Sequence, residues 1–171
     1  TTMKLHSGTK EEKIELAGEL KKVLDARGLL VEYDVIPLTI ADGCLYNCGF
    51  CRVKTGKSFK RRGKKDILDQ IHQLKRFYNQ DILNYNSIFL GQHDALFAGA
   101  ELIEYAARQS YEILGLKNSV IKDPKLFLFG SVDAMFQADA SLFEMLNQLP
   151  FETFINISFY EVNFILQTFH L

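Results

Sequence analysis

Short β-prone runs and longer stretches of helical periodicity take turns along this chain about four times, and that alternation leaves few architectures open. It reads as a parallel α/β sheet with right-handed crossovers. The β-prone runs are residues 29–40, Ser87 to Leu90, Lys125 to Gly130 and Thr153 to Ser158. Pro37 marks part of the first run as irregular or edge-like. The unbroken apolarity of Lys125 to Gly130 predicts burial on both faces. Between the runs, helical spacing covers about Lys65 to Tyr78, with Ile67, Leu68, Ile71, Leu74 and Phe77 on one side. It covers Gly99 to Leu114, closed by Gly115, and then Asp139 to Leu149, stopped by Pro150. A further helix opens the chain: Thr9 and Glu12 form a capping box, and the apolar spacing runs to Arg27-Gly28. The organisation expected is thus a helical extension over residues 1–28 and an α/β core over 29–171. Ligands of such cores gather at the carboxyl ends of the strands.

The first β-prone run ends at Ala41-Asp42-Gly43 and delivers the chain's entire cysteine complement: Cys44, Cys48 and Cys51. An odd count with no apolar secretory leader argues against a disulfide framework. A structural zinc site normally takes four ligands in paired short spacings, and only one such hook, Cys48 to Cys51, is present. One of His6, His72, His93 or His170 folding back would complete it, so zinc stays open. Three thiolates so close can instead converge on a four-iron cubane, leaving one iron without a protein thiolate and open to an outside ligand. A plain electron-transfer ferredoxin would need a fourth cysteine.

Cys-x-x-x-Cys-x-aromatic-Cys directly after an apolar strand, with Phe50 as the aromatic, resembles the radical S-adenosylmethionine (SAM) superfamily. The resemblance implies a partial six-stranded (β/α) barrel, of which about four β/α units are present here behind an extra N-terminal helix. It implies an incomplete core, cut within or just after its fourth strand. It also implies a 4Fe-4S cluster on Cys44, Cys48 and Cys51, with SAM bound at the open iron through its amino and carboxylate groups. Reductive cleavage would give a 5'-deoxyadenosyl radical that abstracts hydrogen from a substrate, with electrons from a flavodoxin or ferredoxin-type partner. By the same resemblance Phe50 packs near the adenine or shields the cluster. Gly91, Gln92 and Asp94 stand where the family has a glycine-rich motif facing the amino group of SAM. Ser131, after the third strand, offers a hydroxyl to SAM or substrate, beside the carboxylate of Asp133. Asn156 and Ser158 fall where the family binds ribose or the methionyl part, although Tyr160 takes the place of the family's glutamate.

Each of these polar residues also has a structural reading. Asp94 caps a turn, and Ser131 and Asp133 satisfy turn amides. Residues 52–65 carry eight basic side chains before the first acid at Asp66. The default is a solvated loop leading into a helix; the sharper reading is a lip for an anionic substrate beside the cluster. A net charge of −1 gives no case for nucleic acid or a membrane surface, and no apolar run reaches membrane-spanning length. An oxygen-sensitive cluster and reduced thiols suit the cytoplasm. The expectation is therefore a radical SAM enzyme core whose catalytic side chains and substrate the sequence does not name. The alternative is a non-catalytic iron–sulfur or zinc-binding module, or an inactive fragment of such an enzyme.

Overall fold

Four parallel strands lie side by side in the order in which the chain makes them. A computed structural model describes residues 35–46, 57–91, 94–158 and 163–167. The four strands are β1 (Val35–Leu38), β4 (Ser87–Leu90), β5 (Lys125–Ser131) and β6 (Glu152–Ser158); β2 (Ala41–Asp42) and β3 (Lys60–Arg61) form a separate antiparallel ribbon. Neighbours among the four make three parallel pairings, in register from Val35 opposite Ser87 to Ser131 opposite Ser158. The expected α/β class with a parallel sheet is therefore present. The order has no reversal among the described strands, unlike a doubly wound sheet. The expected helix over residues 9–28 and the start of the first β-prone run lie outside the described residues.

Strand alternation sorts the side chains into two sets. Ile36, Leu38, Ile88, Leu90, Leu126, Leu128, Ile155 and Ile157 point one way and form a single core with the helices. These helices are α1 (Lys64–Tyr78), α2 (Ala100–Leu114) and α4 (Ala140–Asn147), close to the ranges expected from their apolar spacing. Ile67, Ile71 and Leu74 of α1, Ile103, Ala106 and Ala107 of α2, and Leu142 and Leu146 of α4 are buried in it. The small Ala106 and Ala107 let α2 approach closely. Gly115 stops α2 in a left-handed conformation (φ 73°) and donates its N–H to the Tyr111 carbonyl at 3.1 Å.

The opposite face carries Val35, Phe89 and Phe129 in a separate cluster, with Phe127 packed at its edge. Phe89 and Phe129 meet edge-to-face with centroids 5.1 Å apart, and Phe127 stacks on Phe154 at 5.1 Å. Phe127 and Phe154 stay half-buried, so the burial on both faces expected for β5 holds on the helix side and is incomplete on the other.

Two departures from the expected repeat have plain causes. Residues 163–167 form a further strand, β7 (Asn163–Gln167), antiparallel to β6. Only residues 159–162 connect the two, too few for the crossover that a parallel pairing requires. A short helix, α3 (Val132–Gln137), also follows β5 directly, started by Ser131, whose Oγ accepts the Ala134 N–H at 3.0 Å.

Candidate functional site

The segment after β1 is fastened twice before it reaches the cysteines. Gln70 of α1 accepts the Thr39 N–H at 2.8 Å and donates to the Thr39 carbonyl at 3.0 Å, satisfying the backbone where β1 breaks off. The chain then enters the small ribbon in which β2 pairs with β3. Gly43 sits at its end with φ 75°, and a Cβ there would lie 2.0 Å from the Ser58 carbonyl oxygen. Glycine is required on both counts. The Cys44 N–H donates to the Lys57 carbonyl at 3.2 Å, and Cys44 bridges to Ser58. Cys44 is thus joined by backbone contacts to Lys57 and Ser58, which close a neck with Cys44 at its rim.

The basic run builds this neck. Arg62 grips the Asp42 carboxylate with two hydrogen bonds of 2.7 and 2.9 Å. That grip, reinforced by the charges of Lys57 and Lys60, holds the Asp42 carboxyl below its ordinary range against the opposing effect of partial burial. Arg61 donates to the Phe97 carbonyl at 3.2 Å, and Lys64 pairs with Glu101 at 2.6 Å. Part of the run expected to be a solvated loop is therefore strand and ion-pair structure; Arg52 and Lys54 lie outside the described residues.

From the rim, the chain reaches back over the sheet. Cys44 Sγ accepts the Tyr46 N–H at 3.4 Å. The Tyr46 hydroxyl donates to the carboxylate of Asp133 at the start of α3, with Ser131 Oγ 3.5 Å away. Partial desolvation and then the bond to Asp133 push the phenol's pKa upward, keeping it protonated as the donor. Ser131 closes the circuit, because its N–H donates to Asp94 Oδ1 at 3.1 Å. Asp94 is only 6% exposed. Expected as a turn cap, it makes no capping bond with its side chain and ties the end of β4 to the end of β5 instead.

The remaining residues singled out in the sequence gather on the same carboxyl edge. Gly91 ends β4 in a left-handed conformation (φ 78°), donates to the Leu38 carbonyl at 2.8 Å, and has Ala95 Cβ 3.1 Å from where its own Cβ would stand. Asn156 lies opposite Phe129 and shares the aromatic face with it, and Ser158 stands opposite Ser131 at the end of the register. Asn156 Oδ1 is buried and accepts no hydrogen bond among the described residues. A buried acceptor without a donor is costly, and it marks a place a ligand hydroxyl or amine would satisfy.

Cys44, Asp94 and Ser131 are thus brought into one linked network, with Gly91, Asn156 and Ser158 along the same edge. Cys48, Cys51, Phe50, Gln92 and His93 lie outside the described residues. Among the described residues, no group of three or more His, Cys, Asp or Glu side chains converges to hold a metal ion. His72, one of the histidines considered for zinc, is an exposed side chain of α1. No helix among the described residues is long and apolar enough to cross a membrane. Searches of family models, curated proteins and solved structures return no match to this chain.

Proposed function

We propose that this chain is a radical SAM core, binding a 4Fe-4S cluster on Cys44, Cys48 and Cys51 and SAM beside it. The observation that carries the reading is the placement of Cys44: it follows the first parallel strand, is held by backbone contacts to Lys57 and Ser58, and is followed by Tyr46, which reaches Asp133 just past the carboxyl end of β5. The parallel pairing of β1, β4, β5 and β6 supports it, because it puts the carboxyl ends of those four strands on one rim. When bound, the cluster and SAM supply reductive cleavage to a 5'-deoxyadenosyl radical that takes hydrogen from substrate.

The chain's own residues hold and orient. Cys44 would give one thiolate, its charge eased by the Tyr46 N–H. Asn156 offers its unmatched carbonyl oxygen to a ligand hydroxyl. Ser131 accepts from Ala134 but keeps its own proton to donate. Phe89, Phe127, Phe129 and Phe154 line the aromatic face with hydrocarbon, which suits a reaction that must exclude water. A flavodoxin or ferredoxin-type protein is the proposed electron source.

Anaerobic reconstitution with iron and sulfide tests the proposal directly. The expected result is a brown protein with near-stoichiometric iron and sulfide, whose electron paramagnetic resonance (EPR) signal after reduction changes when SAM is added. Zinc in place of iron, or a cluster indifferent to SAM, would leave only a metal-binding module.

A further inference from the structure

We infer that Tyr46 is a positioning residue: its hydroxyl bond to Asp133 clasps the Cys44–Tyr46 segment to the carboxyl end of β5 and so helps set where Cys44 presents its sulfur. The role in cluster assembly rests on the radical SAM reading; the clasp itself rests on the geometry.

The loop has two attachments of different kinds. Its neck is backbone, made by the Cys44 N–H on Lys57, the ribbon pairing of Asp42 with Lys60, and the glycine approach at Ser58. The neck fixes the backbone of Cys44 and leaves the direction in which Tyr46 departs from it to a second contact. The second attachment is tertiary and joins positions 87 residues apart in sequence, from Tyr46 to Asp133. Tyr46 contacts both ends of the problem, since its main-chain N–H meets Cys44 Sγ and its side chain meets α3.

The anchor is itself braced. Asp133 lies in the first turn of α3, whose N-cap is Ser131, and the Ser131 N–H is held by the buried Asp94 at the end of β4. The clasp therefore closes on a fixed point shared by two strands. A phenol also suits the task, because a rigid ring delivers one polar atom with few rotamers to freeze.

The test uses Tyr46→Phe, which keeps the ring and removes only the oxygen, beside Asp133→Asn and the double variant. Hydrogen–deuterium exchange of peptides covering residues 44–57 reads the clasp in the metal-free protein. Losing one hydrogen bond to a carboxylate should raise exchange there about fivefold in Tyr46→Phe. The double variant should add little to either single change, while peptides from α1 stay unchanged. In the loaded protein, Tyr46→Phe should also shift the EPR signature of the reduced cluster and weaken its response to SAM. Unchanged exchange over 44–57 in Tyr46→Phe, or additive effects in the double variant, overturns the clasp. An unshifted EPR signal in a variant whose loop has loosened overturns the positioning role. Failure of the unaltered protein to take up any cluster sinks the radical SAM reading instead, and is recognised separately because it occurs with Tyr46 in place.

Discussion

Leu128 and Phe127 are neighbours in β5, yet Leu128 is sealed beneath helices at 1% exposure while Phe127 remains half-buried on the other side of the sheet. The same contrast runs through β6, where Ile155 and Ile157 enter the main core and Phe154 and Asn156 face away from it. One face is aliphatic, interdigitated with α1, α2 and α4, and carries the stability of the domain. The other is aromatic, with Val35, Phe89 and Phe129 buried but Phe127 and Phe154 only half so, and Tyr46 reaches Asp133 just past the carboxyl end of β5. A strand can serve both ends because its side chains alternate, so packing on one side puts little constraint on chemistry at the other.

Truncating the two neighbours is the strongest way to break this contrast. Leu128→Ala should lose roughly 2–5 kcal/mol, the range for a large-to-small change in a closed core. Phe127→Ala should lose only about 1–2 kcal/mol despite removing more atoms, since part of its ring is already wet and its main partner is the stacked Phe154 ring. Urea midpoints measure both. Equal losses would mean that the aromatic face is as closed around Phe127 as the aliphatic one is around Leu128, and the division of labour would fall.

Asn156 sharpens the contrast with a smaller effect of opposite sign. Its buried Oδ1 accepts no bond among the described residues, so Asn156→Leu should leave the metal-free protein unchanged or about 1 kcal/mol more stable. On the radical SAM proposal, the same change in the reconstituted protein should weaken the response of the proposed cluster to SAM. A residue kept against the interest of stability is one the fold does not need. Destabilisation by Asn156→Leu would instead make this amide part of the packing.

The sequence makes the helix-covered half easy to read. Ile67, Ile71 and Leu74, or Leu126 and Leu128, repeat at the period of their element because burial on one side demands it. Gly115 and Asp139 mark helix ends through local chemistry that needs no knowledge of the rest of the chain. The site half is harder for the same reason inverted. The partnership of Tyr46 with Asp133 spans 87 positions, and nothing periodic points from one to the other. Asp94 resembles any turn aspartate until β5 is placed beside β4. The basic run looks solvated because its partners, Asp42 and Glu101, are distant in sequence. For β7, the short connection after Ser158 is the available signal, and the apolar tail conceals it.

The smallest effect concerns how the helical face is held at its edges. Asp139 caps α4, taking the Leu142 N–H at 3.1 Å and the Ser141 hydroxyl at 2.7 Å. The Ser141 bond, then the backbone bond to Leu142, lower its carboxyl below the ordinary value of 3.8. Asp139→Ala removes the cap and should lower Tm by about 2–4 °C. Asp139→Asn keeps a capping oxygen and isolates the charge, which also favours a helix N-terminus. A carboxyl lowered on folding stabilises most above its unfolded value and loses that contribution as pH falls through its folded one. The advantage of the native aspartate over the uncharged cap in Asp139→Asn should therefore hold from neutral pH down to about 4 and fade below it, as thermal melts across that range would record. No comparable pH dependence should follow Phe127→Ala, since no ionisable group is changed; an acid-sensitive penalty there would tie the aromatic face to the titrating groups at the rim and erase the separation of the two halves.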